Sequence, residues 1–129
     1  MYEIIVIGTS WGGLNALSQV VAGLPATFAL PLVIVQHRSP DAPGFLAELL
    51  QTRTRLCVVE VDDKRPIAPG HVFVAPPNYH LLFDRGYFSL TTDAPVRYSR
   101  PSIDVTFVSA ADEYGRRAVP PGVGGRDPW

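Results

Sequence analysis

Ser10 stands between two glycines as Gly8-Thr9-Ser10-Trp11-Gly12, a G-x-S-x-G spacing, and His37 follows the apolar run Leu32–Val35 after a single Gln36. A serine hydroxyl is a weak nucleophile near neutral pH and needs a base within hydrogen-bond reach, most often an imidazole, to take its proton. A serine on a tight strand-to-helix turn has its hydroxyl exposed. Backbone N–H groups of such a turn, here those at Trp11 and Gly12, face the oxygen that becomes negative during acyl transfer. The chemistry suggested is nucleophilic attack on an acyl carbon, with Ser10 attacking and His37 as base.

Three readings of the Gly8–Gly13 stretch compete. Dinucleotide binding wants G-x-G-x-x-G and an acidic residue ending the second strand, but the middle glycine is Ser10 and the second strand ends in Gln36-His37. An α/β-hydrolase elbow wants several strands before the serine, and here Ser10 follows the first. A Ser–His dyad needs only that two neighbouring parallel strands deliver Ser10 and His37 at their carboxyl ends.

The elements that must do this are legible in outline. Tyr2–Ile7 reads as a buried strand, Gly8–Gly13 as a turn, and Leu14–Ala22 as a helix with Leu14, Leu17, Val20 and Val21 at helical spacing, ended by Gly23 and Pro25. Leu32–Val35 is a second apolar run, too short for a helix and rich in β-branched residues, expected parallel to the first. Phe45, Leu46, Leu49 and Leu50 place apolar side chains on one face of a short helix, and Leu56–Val61 is a third strand. Val72–Ala75, His80–Asp84 and Tyr87–Leu90 are too close together for crossover helices, so they are expected to form an antiparallel, hairpin-like insertion turning at Pro76-Pro77-Asn78 and Arg85-Gly86. Ser102 caps a further helix with Ile103, Phe107, Ala110 or Ala111, and Tyr114 inward, stopped by Gly115. From residue 120 the Pro- and Gly-rich segment reads as irregular and unable to form a central strand. The expectation is an α/β protein: a three-layer, doubly wound, mostly parallel sheet with an antiparallel hairpin insertion, incomplete at its C-terminus, in which residues 1–119 form the domain and 120–129 an irregular tail.

Bulk properties narrow the function. The chain has 129 residues, 47% of them apolar, enough for one packed core. A formal net charge of -1 supplies no basic field for a phosphate backbone, so nucleic acid is excluded as a partner. Pro25 and Pro31 interrupt the longest apolar region short of a membrane span, and Met1 leads into a core strand without a basic leader, which points to a cytoplasmic protein. Cys57, the single cysteine, reads as a small buried hydrophobe. His71 and His80 read as turn and strand-surface residues, and Asp41, Asp62, Asp63, Asp84, Asp93, Asp104 and Asp112 as solvated turn or helix-start charges. No metal site and no cofactor is called for.

The residues Ile4–Gly13, Val33–His37 (VIVQH), Pro69–Pro77 (PGHVFVAPP) and Arg100–Asp104 (RPSID) with Phe107 and Ser109 together resemble the catalytic domain of the chemotaxis protein-glutamate methylesterase family, CheB, from residue 3 to about 119. The resemblance implies hydrolysis of γ-glutamyl methyl esters on methylated chemoreceptors, often with deamidation of receptor glutamines, and makes Ser10 the nucleophile and His37 its base. Trp11 replaces the family's more familiar threonine. In the family a Gly-Met-Gly-x-Asp-Gly turn supplies an aspartate that orients the histidine; this sequence has no such turn, and Asp127 is not given the role. Impaired turnover is therefore expected, the alternative being a non-catalytic receptor-binding remnant. An uncovered sheet edge would also lead to self-association as a homo-oligomer, or to packing of Val119, Val123 or Trp129 over the gap.

Overall fold

A computed structural model of the chain describes residues 4–9, 14–36, 46–92, 102–115, 118–119 and 122–123. In chain order these form β1 (Ile4–Thr9), α1 (Leu14–Ala22), β2 (Leu32–Gln36), α2 (Leu46–Gln51), β3 (Cys57–Glu60), β4 (His71–Val74), β5 (His80–Asp84), β6 (Tyr87–Thr91), α3 (Ile103–Tyr114), β7 (Ala118–Val119) and β8 (Gly122–Val123). The main sheet is parallel in the order β3-β4-β2-β1-β7, with β8 also pairing β1.

Both faces of this sheet are covered, which is why its strands are continuous apolar runs rather than alternating ones. Ile7, Leu32, Ile34, Val72 and Val74 point to one side and bury Leu17 and Val21 of α1 with Leu46 and Leu50 of α2. Ile4, Val6, Val33, Val35 and Phe73 point to the other and pack with Phe107 and Ala110 of α3 and Leu81, Phe83 and Phe88 of β5 and β6. This is the doubly wound, three-layer α/β arrangement.

The antiparallel part is smaller than the spacing suggested. Among the described residues its strands are β5 and β6, a separate two-stranded sheet to which Pro66 adds a single antiparallel bridge at Tyr87. Of the segment expected as its first strand, Val72–Ala75, residues 72–74 belong to β4 and run parallel between β2 and β3. A parallel step from β3 to β4 needs a crossover, and residues 61–70 make one without a helix by lying along β6. Lys64 N–H donates to Phe88 O, Phe88 N–H to Arg65 O, and Ile67 N–H to Gly86 O.

The hairpin's free edge is satisfied by a helix. Thr106 Oγ1 donates to Leu81 O at 2.8 Å, Phe83 N–H donates to Ser109 Oγ at 2.8 Å, and Arg85 N–H donates to Glu113 Oε1 at 3.0 Å. Residues 106, 109 and 113 share one helical face, so α3 presents a polar stripe to the strand edge while Phe107 and Ala110 face the sheet. At the opposite edge of the molecule the Gln51 carboxamide takes the place of a strand, donating to Leu56 O at 2.8 Å and accepting from Val58 N–H at 2.9 Å.

Four local expectations are corrected. Cys57 is exposed, because it begins the edge strand β3. Leu49 is also exposed, its helix being a single short turn-and-a-half that buries Leu46 and Leu50. His80 is buried. The segment read as irregular from 120 includes β8, which pairs with β1 at Gly8 and Thr9, while β7 pairs at Ile4 and Ile5. Among the described residues this pairing is confined to the edge of β1 that β2 leaves open.

The hairpin turn gives a direct test of local energetics. Arg85 and Gly86 have φ of 33° and 93°, the two positive values that a type I′ turn requires. Asparagine tolerates the left-handed region better than arginine, and Arg85→Asn keeps the backbone donor to Glu113. Urea unfolding should show a gain of up to about 1 kcal/mol.

Candidate active site

Strand order and chain order together locate the functional end of the sheet. From β1 the chain moves to β2 on one side, out to β3 and back to β4, then crosses through α3 to β7 on the other side of β1. The winding direction reverses at β1. In open parallel sheets, the crevice beyond the carboxyl ends of the strands at such a reversal is where ligands bind.

Thr9, the last residue of β1, is fully buried and is the Cα partner of Gln36, the last residue of β2. Ser10 and His37 are the next residues of the chain in each case. Ser10, Trp11, Gly12 and His37 lie outside the described residues, as does Asp127. What is described is their framework: two adjacent parallel strands ending in register, and α1 beginning at Leu14, five residues beyond Thr9.

Gly8 is part of β1 rather than of the turn, and its role is spatial. A Cβ built there would collide with Ile103 Cγ2 and lie 2.9 Å from Phe107 Cε2. The missing side chain lets the first turn of α3 press onto the backbone of β1, two residues before Ser10. The N-termini of α1 and α3 thus both lie at the carboxyl end of β1. Helix N-termini carry partial positive charge; α1 has no acidic side chain in its first turn to offset it, whereas α3 carries Asp104 in its own. The N-terminus of α1 therefore favours an oxygen that gains negative charge, as a tetrahedral acyl intermediate does.

The first turn of α3 is itself held from two directions. Ser102 Oγ accepts from Val105 N–H at 3.3 Å as the N-cap, and Ser102 N–H donates to His80 Nδ1 at 3.2 Å. His80 went unrecognised in the sequence, since its partner is 22 residues away. His71 lies at the start of β4, half-exposed and stacked on Phe73, with a ring nitrogen 2.8 Å from Pro69 O. Among the described residues no three His, Cys, Asp or Glu side chains gather where they could hold a metal ion. A cleft lined by Ala22, Leu24, Thr52, Arg53 and Arg55 lies where α1 and α2 end, at the opposite end of the sheet.

Comparison with known proteins gives the arrangement a family. The CheB methylesterase family model matches residues 5–120. The chain belongs to the CheB methylesterase family. A relative from Leptospira interrogans is 43% identical over 119 residues, covering 92% of this chain and 62% of that protein. The protein-glutamate methylesterase/protein-glutamine glutaminase 2 of Anaeromyxobacter dehalogenans is 41% identical over 115 residues, covering 89% of this chain and 34% of the other. The crystal structure of the Thermotoga maritima CheB methylesterase catalytic domain matches with a TM-score of 0.85 at 33% identity, over 95% of this chain and 67% of that one. The chain spans less than two thirds of the length of either curated relative. No helix among the described residues is long and apolar enough to cross a membrane.

The close approach at Gly8 is testable in this fold. Gly8→Ala should destabilise by about 1–3 kcal/mol through overpacking against Ile103. Adding Ile103→Ala, which removes the colliding Cγ2, should recover part of that loss as a favourable coupling in a double-mutant cycle of urea denaturation. Strictly additive losses would show that α3 does not rest on this backbone.

Proposed function

We propose that the chain carries the esterase site of a protein-glutamate methylesterase, hydrolysing γ-glutamyl methyl esters of chemoreceptors by a Ser10–His37 mechanism. Ser10 Oγ attacks the ester carbonyl carbon while His37 accepts the hydroxyl proton. The oxyanion of the tetrahedral intermediate is held by backbone N–H groups of the turn at Trp11 and Gly12, with the helix N-termini beside it. As the intermediate collapses, the bond between the acyl carbon and the methoxy oxygen breaks and methanol leaves, its oxygen taking the proton from His37. Water then attacks the glutamyl-Ser10 ester, His37 again taking a proton, and the carboxylate of glutamate is released. The same steps on a glutamine side chain release ammonia. The work is cytoplasmic, on the signalling side of the receptor.

The observation that carries this reading is the Thr9–Gln36 pairing, which brings the strands preceding Ser10 and His37 to a common end. Membership of the family supports the substrate. The third position, a carboxylate that orients the imidazole, is assigned to no aspartate of the chain. The only methionine is Met1, so a Gly-Met-Gly-x-Asp-Gly turn does not occur. In the serine-protease template, loss of the orienting carboxylate costs about 10⁴ in kcat, on the order of 5 kcal/mol in barrier. The 129 residues alone should suffer a loss of that order.

The test is methanol release from methylated receptor by the 129-residue chain, by Ser10→Ala and by a longer form that carries the Gly-Met-Gly-x-Asp-Gly turn. The expected result is slow release by the chain, none by Ser10→Ala and roughly 10⁴-fold faster release by the longer form. Equal rates with and without the turn would refute the impairment and direct attention to Asp127. Receptor binding with no release by either form would favour the non-catalytic alternative.

A further inference from the structure

We propose that His80 is a positioning residue for Ser10, locking the N-terminal turn of α3 onto the carboxyl end of β1; the proposal rests on the reading of Ser10 as the nucleophile. His80 begins β5 and is 1% exposed, and its Nδ1 accepts the Ser102 N–H at 3.2 Å. In a capping box the N-cap hydroxyl accepts from the N3 amide, while a Glu or Gln at N3 reaches back to the N-cap N–H. Here the N3 residue is Val105. Its amide donates to Ser102 Oγ, but its side chain has no acceptor to return. The second half of the box comes instead from the imidazole of another element.

The position of this contact gives it reach into the site. Ile103 follows Ser102 directly, and its Cγ2 fills the space above Gly8, two residues before Ser10. The bonds from Thr106 and Ser109 to the backbone of β5, and from Glu113 to Arg85 of the hairpin turn, lie farther along the helix. His80 therefore fixes the end of α3 that touches the nucleophile strand, while the rest of the stripe fixes the body of the helix. Replacing His80 by an apolar residue of similar bulk leaves the buried Ser102 N–H without this acceptor, a cost met locally by fraying of the first turn. Small displacements of catalytic groups are amplified in rate, on the order of 10²-fold for about 1 Å.

The experiment compares the parent chain with His80→Leu, His80→Asn and Ser109→Ala, reading two quantities for each. One is the rate at which a fluorophosphonate probe labels Ser10, followed by intact mass and peptide mapping. The other is amide hydrogen exchange at Val105 and Thr106. Asparagine can offer Oδ1 near the place of Nδ1, whereas leucine offers no acceptor. His80→Leu should label at least about tenfold more slowly, with faster exchange in the first turn. His80→Asn should recover most of both. Ser109→Ala, which removes a bond of similar length from the middle of α3, should lower stability without slowing labelling.

Each contrary result has one meaning. A parent chain not labelled at Ser10 refutes the nucleophile reading, and the role of His80 falls with it. A labelled parent with His80→Leu labelled equally fast overturns the positioning role alone, whatever exchange shows. Failure of His80→Asn to recover either quantity overturns the hydrogen-bond basis, as does slowing by Ser109→Ala of the same size as by His80→Leu.

Discussion

The parallel pairing of β1 with β2 is the constraint on which the site depends. Five consecutive residue pairs, from Ile5 with Leu32 to Thr9 with Gln36, fix the register of two strands whose side chains are buried on both faces. A slip of one residue would exchange the two faces, taking Ile4 and Val6 out of contact with α3 and Ile7 out of contact with α1. Two hydrophobic layers therefore enforce one register. That register sets Thr9 beside Gln36, and with them the residues at which the chain leaves the sheet toward Ser10 and His37.

The hairpin and α3 form a second unit in which helix side chains bond the backbone of β5 and of the hairpin turn. A two-stranded sheet in water is marginal by itself and leaves an edge of unpaired groups. Thr106, Ser109 and Glu113 occupy that edge, while Phe73, Phe83 and Phe88 form a chain of ring contacts beneath it, with centroids 4.9 and 5.4 Å apart. Tyr114 closes the chain edge-on against Phe83 at 5.7 Å. This unit meets β1 at Gly8, whose missing side chain leaves room for Ile103 and Phe107.

What could be read in the sequence was what local chemistry decides. Leu14–Ala22 has apolar residues at helical spacing with Gly23 and Pro25 after it, and α1 occupies those residues. Ser102 and Gly115 bound α3 as its caps, and Arg85-Gly86 is the hairpin turn. The pairing of the first two strands followed from two apolar runs with a helix between them. What escaped depends on distant partners. Gly8 read as the start of a turn because a glycine after an apolar run ordinarily marks one, yet it lies in the strand and its missing side chain answers to Ile103. Val72–Ala75 read as antiparallel because no helix precedes it, and the crossover is instead held by Phe88 of β6 and by Gly86 of the hairpin turn. The burial of His80 depends on Ser102, and the exposure of Cys57 on β3 being an edge; neither is encoded nearby in the chain. The strand ends that precede Ser10 and His37 were legible in the sequence, while the two residues themselves lie outside the described residues and the supports of those strand ends were not legible.

The central claim, that Ser10 is a nucleophile activated by His37, is met most directly by acylation of the chain with an activated ester under single-turnover conditions, followed by intact mass and peptide mapping. The account predicts one acyl group, on Ser10, added at a rate that falls on the order of 10²–10⁴-fold in His37→Ala. Acylation at another residue, or at Ser10 with an unchanged rate in His37→Ala, would contradict it.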